Sequence, residues 1–168
     1  MSTISSTEKR EHFISLLRQF DTVMLVTLNS EHEFHGRPMA VAAVDPDGRI
    51  WFLTGKGTAK VHEIEMDSHA YLTAQDGDSA FLTLTGRASL IDDSEKVHEL
   101  WQEGYKVWFP GGKDDPDIEV IAVRPEFGEY WDTTGGLRAK YYWEAAKAYV
   151  SGTTPDPDET GQHGRVKL

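Results

Sequence analysis

The sequence contains no cysteine, and this absence removes several kinds of chemistry at once. Disulfide bonds, thiolate metal sites and cysteine nucleophiles are all excluded. The N-terminal segment has no apolar stretch of signal-peptide length, and no run approaches the roughly 18 apolar residues of a membrane-spanning helix. Together these absences predict a cytoplasmic protein with no membrane segment.

Basic residues are scarce relative to acidic ones. The chain has 17 lysines and arginines against 28 aspartates and glutamates, which gives a formal net charge of -11. Such a charge repels the phosphates of nucleic acids and anionic membrane surfaces, so neither is an expected partner. The histidines do not form an HExxH motif, and the acidic loops are too short for an EF-hand, so we predict no metal site.

The hydrophobic pattern predicts a mainly antiparallel α+β domain. Short runs rich in β-branched and aromatic residues, joined by turn signals such as DPDG at 45–48, predict six or seven strands. Ser5 and Glu8 form a capping box before an amphipathic helix over about residues 6–20. Further helices are predicted in the middle and at the end, and Asp93 or Ser94 is the candidate cap of one of them. A parallel doubly wound sheet would need more helices, so the expected fold is an antiparallel barrel with helices outside.

The predicted domain covers residues 1–150. The segments RPMAVAAV, IEVIAV and FGEYWD are each predicted as one strand, and Pro125 and Glu126 separate the last two. Residues 151–168 are polar, rich in glycine and proline, and without periodicity, so we expect a flexible C-terminal tail there.

The segment WFLTGKGTAKVHEI at 51–64 changes from strand to loop to helix. Its spacing fits neither a Walker loop nor a dinucleotide-binding fingerprint. An anion could still bind where the helix begins, because free backbone N–H groups would be joined there by Thr58 and Lys60. The alternative is that Thr58 only caps the helix while Lys56 and Lys60 face solvent.

Taken with HGRPMAVAAV, this segment resembles the flavin-binding split-barrel family typified by pyridoxine 5'-phosphate oxidase. In that family an arginine opens a strand that runs along the flavin, and a later strand leads into a Ser-Arg-Lys loop that holds the FMN phosphate. The resemblance covers about residues 8–132, and Ala59 replaces the arginine of the loop. The cofactor-binding residues that it implies are Arg37, Pro38, Met39, Ala40, Leu53, Thr54, Thr58 and Lys60.

The sequence EYWD at 129–132 looks like the family's Glu-Phe-Trp segment, whose tryptophan reaches the flavin across a dimer interface. The resemblance gives Trp131 this role and implies a homodimeric split β-barrel with FMN at the interface. WFPGGKDDPD, together with EYWD, is similar to the general-stress-protein branch of the family. An oxidoreductase with NAD(P)H as a candidate electron donor is therefore expected.

Two substrate anchors of the oxidase have no counterpart in this sequence. Ala42 stands where the oxidase has a lysine, and no Arg-X-His triplet follows Trp131. The expected substrate is therefore not pyridoxine phosphate. Two alternatives stay open: a flavin reservoir or regulator without turnover, and a split barrel that uses F420 or haem. Trp101, Trp108 and Phe109 could line a substrate pocket over the flavin, but their helical spacing favours packing in the core, and Trp108 lies next to a glycine-rich loop.

Overall fold

A computed structural model describes residues 5–77, 79–134, 136–152 and 162–168. The helices are α1 (Ser6–Leu17), α2 (Ala59–Met66), α3 (Ser94–Leu100) and α4 (Gly136–Ser151). The strands are β1 (Thr22–Leu28), β2 (Phe34–Ala40), β3 (Ala43–Val44), β4 (Ile50–Gly55), β5 (His69–Asp76), β6 (Ala80–Ile91), β7 (Ile118–Asp132) and β8 (His163–Lys167). A 3-10 turn at Glu103–Val107 and another at Gly112–Asp114 lie between α3 and β7.

The strands form one antiparallel sheet in the order β2-β1-β5-β6-β7-β4-β3, and β8 pairs with β7. The 15-residue strand β7 pairs with β4 along its first half and with β8 along its second. Strands distant in this order contribute to the same core, so the sheet curls round it; Leu25 on β1, Leu72 on β5 and Phe52 on β4 are fully buried there. The structure confirms the predicted split β-barrel with helices.

A β-bulge allows β7 to continue through a proline. The register between β6 and β7 shifts between Thr85 and Gly86, and Gly86 lies opposite Pro125. A Cβ on Gly86 would collide with the carbonyl oxygen of Arg124, so glycine permits this close approach. Proline is tolerated in a sheet at a bulge, where its missing N–H is not needed for pairing. The two strands predicted on either side of Pro125 are therefore one strand.

The predicted strand RPMAVAAV is divided between β2 and β3. Strand β2 begins earlier, at Phe34, and ends at Ala40. The Val41 amide then donates to the carbonyl of Asp21 at 2.9 Å, and the Ala42 amide donates to the carbonyl of Trp51 at 2.8 Å. The chain changes pairing partner within two residues, and this change ends one strand and starts the next.

Residues 153–161 of the predicted flexible tail lie outside the described residues, and the end of the tail differs from the expectation. Residues 163–167 form β8, which pairs with β7 from Phe127 to Trp131. Val166 is buried in the barrel core with 4% of its surface exposed. A single buried apolar side chain in a polar segment is too weak a periodic signal for the sequence to predict a strand.

The helix signals in the sequence are confirmed at the N-termini. Ser5 caps α1 through the amide of Glu8 at 3.2 Å, and the Glu8 carboxylate accepts from the Ser5 amide at 2.8 Å, which completes the capping box. Helix α1 ends at Leu17, three residues before the predicted end, and Phe13 and Leu17 are fully buried against the sheet. Of the two candidate caps of α3, Asp93 is the one that caps the helix. Within the described residues, no helix has the length and apolar character that crossing a membrane requires.

A buried carboxylate attaches helix α2 to the first two strands. Glu63 is only 5% exposed and accepts hydrogen bonds from Thr27 on β1 and from Arg37 on β2, the latter at 2.7 Å. His35 Nδ1 lies 2.7 Å from the other carboxylate oxygen. Burial raises the pKa of Glu63, but the hydrogen bonds from Thr27, His35 and Arg37 outweigh it and hold the pKa below its ordinary value. This network fixes the position of α2 against the sheet.

We expect Glu63→Gln to lower the free energy of unfolding at pH 7 by about 2 kcal/mol, because a buried hydrogen bond to a charged group contributes about 1.5–3 kcal/mol. Since the folded pKa is lowered, the contribution is complete above the unfolded pKa of about 4.3 and is lost as the pH falls through the folded value. Urea unfolding of both proteins from pH 7 to pH 3 measures this. The stability difference should shrink below about pH 4.

Glu65→Gln is the matched control, because Glu65 lies on the same helix with 59% of its side chain exposed. It should change the free energy of unfolding by less than about 0.5 kcal/mol. An equal effect of both substitutions, or a pH-independent effect of Glu63→Gln, would show that the buried carboxylate does not anchor α2.

Candidate cofactor-binding site

A cavity of about 470 Å³ opens where β2 and β4 end and α2 begins. One side is formed by the backbone and side chains of β2, and the polar end is formed by the β4–α2 loop. Aromatic residues of the 3-10 turn and the residues after it form another side. The lining residues are Thr22, Pro38, Met39, Ala40, Leu53, Thr54, Gly55, Thr58, Lys60, Tyr105, Trp108 and Phe109.

Two hydroxyls and an ammonium group meet at the polar end of the cavity. Lys60 Nζ donates to Thr54 Oγ1 at 3.1 Å, and Thr58 Oγ1 lies 3.3 Å from the same oxygen. Thr54 is 4% exposed, so its hydroxyl is held by the surrounding fold. The arrangement depends on the short turn after β4, which brings the first turn of α2 back beside the last residues of the strand.

Thr58 occupies the N-cap position of α2, but its side chain does not cap the helix. Its hydroxyl donates instead to the carbonyl of Gly55 at 2.9 Å. The alternative in which Thr58 serves only as a helix cap is therefore not what the structure shows. The hydroxyl can rotate from this carbonyl to donate to an anion, and the N-terminus of α2, with its partial positive charge, faces the same region.

The electrostatics of this end are positive, although the protein as a whole is acidic. Burial lowers the pKa of Lys60, and the nearby positive charge of Arg37 lowers it further, against a smaller opposite effect of Glu63. The Glu63 carboxylate is hydrogen-bonded to Arg37 and His35. Burial and the charge of Arg37 both destabilise the charged form of Lys60. An anion placed beside Lys60 would offset both effects.

Most of the predicted cofactor-binding residues come together in this cavity. Pro38, Met39 and Ala40 form its β2 side, Leu53 and Thr54 its β4 side, and Thr58 and Lys60 its polar end. Lys56, which the sequence left undecided, points away and pairs with Asp92 at 2.9 Å.

Arg37 and Trp131 lie outside the cavity lining. The Arg37 guanidinium is directed to Glu63 and Thr27 on the inner side of the β1–β2 hairpin. Trp131 lies near the end of β7 on the outer face of the sheet, where it is 40% exposed and pairs in register with Phe81. The two residues are thus not brought to the cavity within one chain.

The sequence favoured core packing over a pocket for the aromatic side of the cavity. Trp101 and Phe109 do pack against a core cluster, but α3 ends at Leu100, a 3-10 turn follows, and Trp108 and Phe109 line the cavity. This change of helix type turns Tyr105, Trp108 and Phe109 towards the cavity, and Trp108 remains 63% exposed. The glycines of the following loop were the one available signal that the helix would not continue.

A larger cavity of about 650 Å³ lies on the outer face of the sheet. Its walls are mainly apolar and include Val26, Leu28, Phe34 and Tyr71. Glu126 is the one Asp, Glu, Lys or Arg in its described lining, and its charge is negative. A phosphate group therefore fits the smaller, cationic cavity and not this one.

Solved structures from several bacteria share this architecture. A candidate general stress protein 26 from Jannaschia sp. CCS1 has a TM-score of 0.73 and 28% identity, over 98% of this chain and 100% of that one. The general stress FMN/FAD binding protein of Xanthomonas citri has a TM-score of 0.65 and 26% identity, over 77% of this chain and 92% of that one. A candidate pyridoxamine 5'-phosphate oxidase from Listeria innocua has a TM-score of 0.59 and 27% identity, over 71% of this chain and 94% of that one.

The sequence itself also matches a known family. No curated protein matches the chain. The model of the family described as pyridoxamine 5'-phosphate oxidase like matches residues 8–156, which include the whole cavity. With this match over most of its length and the split β-barrel fold, the chain belongs to the pyridoxamine 5'-phosphate oxidase-like family.

Proposed function

We propose that the cavity binds FMN and that its polar end holds the phosphate. The observation that carries this proposal is the convergence of Thr54, Thr58 and Lys60 at the N-terminus of α2. A phosphate monoester carries nearly two negative charges and several strong acceptor oxygens, so it requires hydroxyl donors, an ammonium group and helix-terminal N–H groups. The name of the Xanthomonas citri neighbour, which includes FMN/FAD binding, supports the same class of ligand.

The rest of the cavity suits a flat aromatic ring system. The β2 segment Pro38–Ala40 offers backbone and small apolar groups on one side, and Tyr105 and Trp108 provide aromatic surface on another. Arg37, committed to Glu63, would add positive charge from behind Lys60 without direct contact. When bound, the isoalloxazine ring supplies the electron-transfer chemistry. The protein's own residues bind it, orient it and limit its exposure to water.

The activity that we propose is that of an oxidoreductase whose substrate is not pyridoxine phosphate. Ala42 offers a methyl group where the oxidase has a cationic anchor, and the Ala42 amide is used in pairing with Trp51. A role among general stress proteins is supported by the neighbours from Jannaschia and Xanthomonas.

We expect Lys60→Ala to weaken FMN binding about 10- to 100-fold, because a charge-assisted hydrogen bond contributes about 1.5–3 kcal/mol. Titration of the apoprotein with FMN, followed by quenching of flavin fluorescence, measures the dissociation constant. Lys56→Ala is the matched control, since Lys56 is paired with Asp92 and lies outside the cavity lining. Equal affinities of the wild type and Lys60→Ala for FMN would show that the phosphate does not bind at this site.

Reduction by a nicotinamide nucleotide distinguishes an enzyme from a flavin reservoir. We expect the purified protein to show flavin absorption bands and anaerobic NADH or NADPH to bleach them, because reduced nicotinamides transfer hydride to flavins. A flavin that neither nucleotide reduces would favour the reservoir or regulator. A Soret band in place of flavin bands would show that the bound cofactor is haem, and a deazaflavin spectrum would show that it is F420.

We further propose that the protein is a homodimer with the cofactor at the interface. The outer face of the sheet carries an apolar surface, each member of which is 38–42% exposed. This outer-face surface consists of Met24, Tyr71, Phe81, Phe127 and Trp131. Several exposed large apolar side chains on one face of a sheet are typical of a protein interface. A second copy is the occupant that we expect, because it would bring Trp131 of one subunit to the cavity of the other, as the family resemblance implies.

Phe81→Glu should convert the dimer to a monomer and reduce FMN affinity at the same time, because it places a charge within the outer-face surface, directly beside Trp131. Sedimentation velocity and FMN titration of the same sample measure both effects. Val107→Glu is the matched control, because Val107 is 80% exposed but lies outside that surface. If Phe81→Glu stays dimeric and binds FMN with wild-type affinity, the dimer interface does not include the outer-face surface.

A further inference from the structure

Strand β8 lies beyond the family match, which ends at residue 156, and it is nevertheless a fixed part of the barrel. It pairs with the second half of β7. Gly164 lies directly against Tyr130, and a Cβ at this position would collide with the tyrosine ring. Val166, two residues later, is buried in the core. The position of β8 is therefore set by packing, and the side chains on its outer face have defined neighbours.

The first of these outer side chains contacts Trp131. The rings of His163 and Trp131 are stacked, with centroids 5.1 Å apart and planes inclined by 24°. His163 Nε2 lies 2.7 Å from Glu129 Oε1, and Arg165 Nε donates to the same oxygen at 2.8 Å. The His163 side chain is only 14% exposed, whereas Trp131 remains 40% exposed. The imidazole is thus held between a carboxylate and the indole.

The carboxylate that holds the imidazole stays ionised at neutral pH. Burial raises the pKa of Glu129, but hydrogen bonds from Arg165 and His163 outweigh it, and the pKa lies below its ordinary value. A charge-assisted hydrogen bond restricts the imidazole more firmly than a neutral one would. On the opposite side of Trp131, the register of β6 places Phe81. Neighbours on two strands thus limit the rotamers of the indole and leave its outer part exposed.

We propose that His163 is a positioning residue, which holds the indole of Trp131 in the orientation in which it meets the flavin bound by a second copy of the chain. The proposal rests on the proposed function, since it requires both FMN binding and the dimer. It assigns a role to β8: the C-terminal strand of one subunit completes the cofactor site of the other through Trp131. Arg165 and Glu129 act one step further back, by fixing the imidazole.

The first test needs no ligand. Labelling with 5-fluorotryptophan gives one 19F resonance for each of the five tryptophans, and the resonance that Trp131→Ala removes belongs to Trp131. His163→Ala should shift this resonance and leave the others in place, whereas His163→Phe, which keeps a flat ring, should shift it less. Lys167→Ala is the matched control, because Lys167 is an exposed residue of the same strand. An unmoved Trp131 resonance in His163→Ala would overturn the proposal.

The second test is a double-mutant cycle on FMN affinity. His163→Ala should weaken FMN binding several-fold and at most about tenfold, the range expected for loss of one aromatic contact. In the Trp131→Ala background the same substitution should have no further effect, because a positioning residue acts only through the residue that it positions. Thermal melting of each variant shows whether it is folded. If His163→Ala does not fold, His163→Phe replaces it in the cycle.

The outcomes separate the two proposals. Wild-type affinity in His163→Ala, or an equal loss in both backgrounds, would overturn the positioning role while FMN binding stands. If the wild-type protein itself does not bind FMN, the proposed function fails, and the role of His163 at a flavin fails with it.

Discussion

The buried carboxylate of Glu63 is the interaction on which the geometry of the cavity depends. It joins α2 to β1 and β2 through Thr27, His35 and Arg37. The first turn of the same helix carries Thr58 and Lys60, so the position of these two groups beside Thr54 follows from where the carboxylate holds the helix. A buried carboxylate is stable only with such partners, and breaking the set would leave an uncompensated charge in the protein interior.

The same carboxylate decides which cation is available to a ligand. Arg37 lies in the middle of the strand that borders the cavity, but its guanidinium is committed to Glu63. Lys60 donates only to a hydroxyl in the described structure and can exchange this bond for a stronger one to an anion. A protein of net charge -11 can therefore keep one small region positive, because its nearest buried acid is already neutralised by other groups.

The fold was predictable where short-range signals decide it. The Ser5 capping box, the Asp93 cap and the DPDG turn each act over a few residues, and all are present in the structure. The continuity of β7 was not predictable, because Pro125 is tolerated through Gly86 on another strand. The cavity residues of β2, β4 and α2 were found through family resemblance. The partner of Arg37 was not, because Glu63 lies 26 positions away and only the fold brings them together.

The aromatic side of the cavity and strand β8 escaped prediction for a related reason. Tyr105 and Trp108 reach the cavity because the helix changes type after Leu100, a difference that hydrophobic spacing does not record. In β8, the alternation covers five residues, of which one is a buried glycine. Both features follow from packing against distant parts of the chain, and short-range patterns carry little information about such packing.

The length of β7 has a consequence for the assembly as a whole. Its 15 residues extend over roughly 45 Å, at about 3.3 Å per residue, from the ladder beside Thr54 to the indole of Trp131. In a paired molecule of the kind proposed, this single strand, which continues through its β-bulge, would connect the two ligand sites. A strand that is hydrogen-bonded to its neighbours is stiffer than a loop, so a small displacement at one end reaches the other end. Half-of-the-sites behaviour, in which filling one site alters the other, would thus have a direct mechanical route through the backbone.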